Sequence, residues 1–251
     1  MLFDKKTFRL IVSNQGSSKE NMATDESLLK NYENNDLPIL RLYTWDNDSL
    51  TIGISQNIES YDFLENQKEK VAKRITGGGI LFHGHDISYS LIIPTDILST
   101  LSIKKSYEYI CQFLLNFYKN LGLNVCYAKD NEKIQLSKSE FCQVGFEAYD
   151  ILVNGKKIGG NAQRRTKKAI FQHGSIPLVA TKSNNFDERY GISLEDIGIK
   201  LDSKDAINQI IEAFRTTFNV MLKEEKLKNK EIDLKNNLLK EKYDYSNESI
   251  K

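Results

Sequence analysis

The sequence predicts an α+β fold in a single domain. Strand-like segments are concentrated in the middle of the chain, and helical periodicity dominates the segments on either side of them. A length of 251 residues is enough for one large domain or two small ones, and neither an internal repeat nor a long linker divides the chain. We therefore predict one domain over residues 1–251, with residues 203–245 as a helical C-terminal extension packed on it.

The N-terminal third predicts a strand, a helix and then several short strands. Ser17 or Ser18 is a suitable N-cap for the helix. Leu50, Ile52 and Ile54 alternate with polar or small residues, as in a half-buried strand. The predicted elements are a strand at 8–12, a helix at 19–32, and strands at 39–45, 50–55, 71–76 and 88–93.

Helical periodicity is clearest between Tyr107 and Leu121, and Gly122 follows as a C-cap. Strands are predicted next, near Val125 and at 148–153, 157–162 and 169–177. The pair Asn154-Gly155 is a strong hairpin signal between two of these strands. A further amphipathic helix begins near Asp205. We expect residues 223–242 to be helical and peripheral, and residues 245–251 to be frayed.

Composition and charge exclude several classes of protein. Lys and Arg total 35 and Asp and Glu total 34, so the net charge of +1 gives no electrostatic footprint for nucleic acid or an acidic membrane. No apolar run reaches the ~20 residues that span a bilayer, and the N-terminus lacks a signal-peptide core. Three cysteines cannot all pair, and their spacing fits no zinc motif. We expect a cytoplasmic protein with no disulfide and no bound metal.

The first candidate site is the run Arg74-Ile75-Thr76-Gly77-Gly78-Gly79, which is followed by His83. Three glycines after a strand let main-chain N–H groups face a carboxylate, a phosphate or an acyl carbonyl. Arg74 would add a charge-assisted hydrogen bond. A glycine-rich strand connection without a ligand remains the alternative.

The second candidate is the hairpin segment 154–165. If Lys157 points inward from a strand while Lys156 points to solvent, one ammonium group lies in a cleft. It could then neutralise an anion or stabilise a developing oxyanion. A basic hairpin in solvent is the alternative.

Single cysteine and histidine residues complete the candidates. Cys142 lies in a polar, loop-like stretch and is the cysteine that we nominate as a nucleophile, although an inert thiol is the alternative. Cys111 and Cys126 are predicted to be core residues. His173 interrupts an apolar strand, and both His173 and His83 could be site residues or satisfied core histidines.

Taken in order, these motifs resemble the superfamily of lipoate–protein ligases, octanoyltransferases and biotin–protein ligases. The likeness covers roughly residues 7–245 and is greatest to octanoyltransferases of the LipM type, with some ligase features. The segments that carry it are 21–29, 40–45, 49–53, 74–83, 89–90, 155–165 and 172–176.

The resemblance implies a mixed sheet flanked by helices and an enzyme that attaches an octanoyl or lipoyl chain to one lysine of a lipoyl domain. Such domains belong to 2-oxoacid dehydrogenase E2 subunits and to the glycine-cleavage H protein. Lys157 corresponds to the lysine that contacts the acyl carbonyl or the adenylate, and the protein would act as a monomer. The implied substrate-binding residues are Arg74, Gly77, Gly78, Gly79, His83, Gly159, Gly160, Asn161, Ala162 and His173.

The superfamily uses two kinds of donor, and the sequence contains signals for each. Transferases take octanoate from acyl carrier protein through a cysteine thioester and need no cofactor, and Cys142 resembles their nucleophile in its position before the hairpin. Ligases activate free lipoate with ATP and Mg²⁺, and Gly79 and Phe82-His83 resemble theirs. We expect a cysteine-dependent octanoyltransferase. The alternatives are an ATP-dependent ligase and a non-catalytic module that binds lipoyl domains.

Overall fold

The computed structural model describes residues 2–3, 6–136, 146–180 and 191–244. Strands and helices alternate irregularly along these residues. In chain order they are β1 (Thr7–Val12), α1 (Ser18–Asn31), β2 (Ile39–Tyr43), β3 (Leu50–Ile52), α2 (Asp62–Glu65), β4 (Val71–Lys73), β5 (Leu81–Phe82), β6 (Asp86–Pro94), α3 (Ile103–Ile110), α4 (Gln112–Asn120), β7 (Val125–Tyr127), β8 (Ile151–Val153), β9 (Lys156–Lys157), β10 (Asn161–Arg165), β11 (Ala169–Pro177), α5 (Ser203–Phe218), β12 (Met221–Glu224) and α6 (Asn229–Glu241).

A six-stranded mixed sheet lies at the centre, in the order β10-β11-β6-β2-β1-β12. Strand β1 runs parallel to both β2 and β12, and the other pairs are antiparallel. Two three-stranded sheets, β4-β3-β5 and β7-β8-β9, accompany it. This confirms the predicted α+β class. In the described parts of the chain, no helix has the length and apolar character needed to cross a membrane.

The two faces of the central sheet carry different side chains, because successive residues of a strand point to opposite sides. On β6, Tyr89 and Leu91 belong to the large apolar core, together with the aromatic residues of α4 and α5. Their neighbours Ser88 and Ser90 are buried on the other face, where Ser90 contacts α1. The alternation therefore gives the sheet one apolar face and one face with buried polar groups, and the candidate site lies on the polar face.

Several predicted elements are confirmed and others are corrected. Strand β11 has the predicted bounds, and α1 begins after Ser17, which caps it in a capping box with Glu20. The predicted helix 107–121 is two helices, α3 and α4, with Cys111 between them. Helix α3 begins at Ile103, earlier than predicted, because the Ser102 side chain accepts a hydrogen bond from the N–H of Lys105 and caps the helix.

The predicted strand 157–162 is also interrupted. Strand β9 ends at Lys157, and Gly159 adopts a positive φ of 71° before β10 begins at Asn161. A Cβ atom at Gly159 would lie 2.1 Å from the carbonyl oxygen of Ser175, so only glycine fits there. The break brings the backbone of the hairpin against β11.

The prediction for residues 223–242 is wrong in part. Its first residues belong to β12, which pairs with β1 through its backbone. Helix α6 is not peripheral, because its Glu231 is buried and forms hydrogen bonds of 2.6 and 2.8 Å with both terminal nitrogens of Arg9. Tyr243, just after α6, is fully buried and donates a hydrogen bond to Glu26 of α1. The C-terminal region therefore completes both the sheet and the packing of α1.

Candidate active site

The glycine loop, residues 77–79, joins β4 to β5 and is held in place by Arg74. The buried guanidinium of Arg74 donates hydrogen bonds to the carbonyl oxygens of Gly79 and Gly77, at 2.6 and 3.3 Å, and to Thr51 Oγ1 at 2.8 Å. These contacts bind Arg74 to the protein's own loop. A direct contact between Arg74 and a substrate stays a prediction.

The glycine loop also packs closely against β3. A Cβ atom at Gly53 would lie 2.0 Å from the carbonyl oxygen of Gly78, so a side chain at Gly53 would displace the loop. Gly77 and Gly78 are exposed, and a Cβ atom at Gly77 would meet no atom within 4 Å. The main chain at Gly77 and Gly78 is therefore accessible, as the sequence predicts for a backbone that approaches a ligand.

His83 lies in a chain of buried hydrogen bonds that begins at Arg74. Arg74 donates to Thr51 Oγ1, Thr51 lies 2.8 Å from His83 Nε2, and His83 Nδ1 lies 2.9 Å from Asp86. Burial would raise the pKa of Asp86, but His83, His85 and Ser175 together outweigh this effect, and the pKa is lowered. The ring of His83 stacks on Trp45 with 3.8 Å between the ring centroids. These contacts hold both ring nitrogens and one face of the imidazole in place.

His173 occupies a second arrangement of the same kind. Its Nε2 lies 2.7 Å from Thr76 Oγ1, and its Nδ1 lies 3.8 Å from Asp25 Oδ2. Burial lowers the pKa of His173, and Asp25 opposes this only in part. Burial would raise the pKa of Asp25, but Arg41, 2.7 Å away, together with His173 and Ser90 outweighs this effect, and the pKa is lowered. An ionised carboxylate therefore lies beside a buried imidazole.

Lys157 points inward, as the strand alternation predicts, while Lys156 is exposed. Its ammonium nitrogen lies 2.5 Å from Asp150 Oδ2, which also accepts a hydrogen bond from the N–H of Glu147. Burial raises the pKa of Asp150, and Lys157 offsets only part of that effect. Lys157 thus forms a buried ion pair with the residue just before β8.

Strands β10 and β11 meet at a crowded point. A Cβ atom at Gly174 would lie 2.1 Å from Asn161 Oδ1, which accepts a hydrogen bond from the hydroxyl of Tyr89. The N–H of Ser175 donates to the carbonyl oxygen of Gly160. Asn161 is therefore positioned by the neighbouring strands, with part of its surface still accessible.

A cleft of about 350 Å³, part of it open to solvent, is lined by residues of the glycine loop and by His83, Asn161 and His173. The structure brings seven of the predicted binding residues together in its lining. They are Arg74, Gly77, His83, Gly160, Asn161, Ala162 and His173.

Some predicted residues are not part of that lining. In the described segments, Lys157, Gly78, Gly79 and Gly159 do not line the cleft. Other lining residues were not predicted, and strand alternation could have identified only those on one face of β2, β6 and β11, such as Tyr43, Ser88 and Ser175. They are Met22, Tyr43, Trp45, Thr51, Leu81, Ser88, Gly174 and Ser175.

The cysteines differ in their surroundings. Cys111 is buried, as predicted for a core residue, and burial raises the pKa of its thiol to about 12. Cys126 is only half-buried, so the core prediction is not met there. Cys142, the predicted nucleophile, lies outside the described residues. Among the described residues, no group of three or more His, Cys, Asp and Glu side chains is arranged to hold a metal ion.

Comparisons with known proteins place this geometry in a family. The family model described as the lipoyl protein ligase A/B catalytic domain matches residues 17–214. The chain is also similar to an octanoyltransferase LipM of Bacillus cereus, with 32% identity over 97% of this chain and 98% of the relative. This relative confirms the resemblance to LipM-type octanoyltransferases.

Solved structures share the fold at lower identity. A lipoate-protein ligase A bound with ATP is 22% identical, with a TM-score of 0.76 over 98% of this chain and 97% of that one. A bi-partite lipoate protein ligase of Thermoplasma acidophilum, part of a lipoylation system with its E2 lipoyl domain, is also 22% identical, with a TM-score of 0.75 over 97% and 95% of the two chains. The chain belongs to the lipoyl protein ligase A/B catalytic domain family.

Proposed function

We propose that this protein transfers an octanoyl group to a lysine of a lipoyl domain. The observation that carries the proposal is its similarity, over almost its full length, to a relative named as an octanoyltransferase. The cleft agrees with such a ligand, since it combines the side chains of Met22, Trp45 and Leu81 with accessible glycine backbone. An apolar chain with a polar acyl end matches this lining.

In the first step, we propose, the thiolate of Cys142 attacks the thioester carbonyl of octanoyl acyl carrier protein. A bond forms between sulfur and the carbonyl carbon, and the carrier thiolate leaves after collapse of the tetrahedral intermediate. Main-chain N–H groups of the glycine loop and Lys157 stabilise the oxyanion. The positive charge of Lys157 also favours the thiolate form of Cys142.

In the second step, the neutral amine of the acceptor lysine attacks the acyl-enzyme, and the amide forms as Cys142 leaves. The related archaeal ligase works in a lipoylation system with an E2 lipoyl domain, which supports lipoyl domains as acceptors. E2 subunits and the glycine-cleavage H protein are the expected partners. Cytoplasmic location and a monomeric state stay predictions.

A ligase reaction is the second candidate, favoured by Gly79 and by the related fold that binds ATP. The proposed binding residues would then hold a lipoyl-adenylate, and Cys142 would be dispensable. Two nearby cations, however, are already engaged: Arg74 with the glycine loop and Lys157 with Asp150. We place transfer first because the relative matched over almost the full length of this chain is named an octanoyltransferase.

The test is intact-mass spectrometry of an apo lipoyl domain incubated with this protein. One reaction contains octanoyl acyl carrier protein without ATP, and the other contains free lipoate, ATP and Mg²⁺. We expect octanoylation in the first reaction, an acyl adduct on Cys142, and loss of both in Cys142→Ala. Cys126→Ala is the matched control and should keep both.

Other outcomes distinguish the alternatives. Lipoylation confined to the ATP reaction and retained in Cys142→Ala would establish a ligase and refute the thioester step. Binding of the lipoyl domain with no mass change in either reaction would indicate a non-catalytic module.

A further inference from the structure

One apolar wall of the cleft, formed by Met22, Tyr43 and Trp45, belongs to a larger cluster of buried side chains. The C-terminal segment completes this cluster. Its further members are Ala23, Ala72, Leu238 and Tyr243. Leu238 and Tyr243 do not line the cleft. They therefore lie behind the side chains that a ligand would contact.

We propose that Leu238 and Tyr243 are positioning residues, which hold Met22 against an acyl chain and so set the affinity of the cleft for that chain. The inference rests on the proposed octanoyl transfer, because it takes the cleft as the place of the acyl group. It concerns binding of the chain, and neither residue takes part in bond formation.

Tyr243 bridges the turn of α1 that carries Met22 to the cleft. Its side chain is fully buried, and its hydroxyl oxygen lies 2.8 Å from Glu26 Oε2 and 3.5 Å from the carbonyl oxygen of Met22. Met22 and Glu26 are four residues apart (26 − 22) and are therefore neighbours on one face of the helix. Because the hydroxyl has a single hydrogen, it donates to the carboxylate, which is the stronger acceptor. One side chain beyond α6 thus contacts both ends of this turn.

Glu26 gives this contact a charged anchor. Lys242, next to Tyr243 in the chain, lies 2.6 Å from Glu26 Oε2, and Lys30 lies 2.9 Å from Oε1. A cation is therefore close to each oxygen of the carboxylate. The Tyr243 hydroxyl meets an acceptor whose direction is fixed.

Helix α6 reaches this position by running antiparallel along α1. Near its start, the carbonyl oxygen of Lys230 accepts a hydrogen bond of 3.3 Å from Asn31, the last residue of α1. Beyond its end, Tyr243 contacts Met22 in the first half of α1. The start of α6 is thus joined to α1 by a polar contact, and its last turns add Leu238 to the apolar cluster. The end of α6 is therefore the part that supports the cleft.

Met22 depends on this support more than the other two residues of the wall do. The hydroxyl of Tyr43 is fixed by Asp25 Oδ2 at 2.9 Å. The indole nitrogen of Trp45 donates to Ser88 at 3.0 Å. The thioether chain of Met22 has three rotatable bonds and is only a weak acceptor, so packing determines where it lies. Space opened behind Met22 would let its side chain turn away from the acyl chain.

Isothermal titration calorimetry with octanoic acid tests this role. We expect Tyr243→Ala to weaken binding about 4- to 16-fold, which corresponds to lost packing around roughly one or two methylene groups. Leu238→Ala should act in the same direction, and it keeps the test valid if Tyr243→Ala folds poorly. Tyr243→Phe leaves the ring in the cluster and should retain most of the affinity.

Leu98→Ala is the matched control, because it truncates the same type of side chain as Leu238→Ala at another buried position. Leu98 belongs to the large apolar core and not to the cluster behind the cleft. This variant should lose stability and keep the wild-type affinity for octanoic acid.

Two readouts separate positioning from a general loss of structure. Partial unfolding lowers the number of binding sites per chain, whereas a displaced Met22 lowers the affinity of every site. In transfer from octanoyl acyl carrier protein to an apo lipoyl domain, the donor concentration at half-maximal rate should rise while the maximal rate is retained. The reason is that the lost packing is the same in the ground state and the transition state.

The outcomes are distinct. Wild-type affinity and a wild-type half-maximal donor concentration in both Tyr243→Ala and Leu238→Ala would overturn the inference, as would an equal loss of affinity in Leu98→Ala. If the free acid binds the wild type too weakly for calorimetry while transfer proceeds, the half-maximal donor concentration decides. A wild type that neither binds octanoic acid nor octanoylates the lipoyl domain would overturn the proposed function and this inference with it.

Discussion

Asp25 is the charged residue on which the polar face of the sheet depends. Its carboxylate is 1% exposed and accepts hydrogen bonds from Arg41 at 2.7 Å, Ser90 at 2.8 Å and Tyr43 at 2.9 Å. Asp25→Asn keeps the size of the side chain but removes its charge. The buried guanidinium of Arg41 then has no counter-charge at that site, although Asn21 still accepts one of its hydrogen bonds.

The expected loss of stability follows from that burial. Removing one partner of a buried ion pair costs about 3–5 kcal/mol. In a chain of this size, 1 kcal/mol corresponds to roughly 2–4 °C in melting temperature, so Asp25→Asn should melt roughly 6–20 °C lower. Urea unfolding at pH 7, followed by circular dichroism, measures the free energy of unfolding directly.

The pH dependence gives a second measurement with a definite sign. The pKa of Asp25 in the folded protein is below its ordinary value, so its stabilising contribution is complete above about pH 4. That contribution is lost as pH falls through the folded pKa, and the Asn variant should lose less stability than the wild type over this acid range. The exposed Asp233→Asn is the control. If the free energy of unfolding of Asp25→Asn lies within about 0.5 kcal/mol of that of Asp233→Asn, which is about the usual size of a surface effect, the reasoning is refuted.

Three further predictions concern the C-terminal region, the glycine loop and the core thiol. Glu231→Gln should lower the free energy of unfolding by about 3 kcal/mol in urea, because it removes the closer of two counter-charges of buried Arg9, the other being Glu225 at 3.3 Å. A change below about 0.5 kcal/mol would contradict the stabilising role of this ion pair. Gly53→Ala should destabilise the protein by about 1–3 kcal/mol and lower its melting temperature, because the added methyl group would overlap the glycine loop. Gly77→Ala should leave the melting temperature unchanged, because a Cβ atom there meets no other atom. Equal effects of the two substitutions would contradict the described packing. Cys111 should resist iodoacetamide at pH 8 in the folded protein and react after unfolding, because burial raises the pKa of its thiol to about 12. Peptide mapping would detect the labelled residue. Rapid labelling of Cys111 in the native protein would contradict its burial.

Apolar alternation identified much of the sheet, because burial on one face imposes a period of two on the sequence. Strand β11 illustrates this, with its predicted bounds unchanged. Strand β12 shows the limit of the method. Met221 is exposed, the strand lies at the edge of the sheet, and its backbone pairing with β1 leaves no apolar pattern to read.

The same distinction applies to the site. Alternation correctly placed Lys157 inside and Lys156 outside, because the two residues are adjacent on a strand. It could not identify Asp150 as the partner of Lys157, or Asp25 as the neighbour of His173. The two residues of the second pair are 148 positions apart (173 − 25), and only the packing of α1 against the sheet brings them together. Contacts of this kind depend on the register between elements, which a single sequence does not specify.

The ion pair between Lys157 and Asp150 explains how a buried lysine could serve the proposed transfer. An unpaired buried ammonium group would be costly, so a carboxylate has to neutralise it before substrate arrives. Burial raises the pKa of Asp150, which means that the ionised form of this carboxylate is poorly stabilised where it lies. Because its pKa is raised, Asp150 can take up a proton as an oxyanion on the substrate attracts the ammonium group, so that no unpaired carboxylate remains buried. A partner with a fully stabilised charge would hold Lys157 more firmly and would weaken its contribution to the transition state.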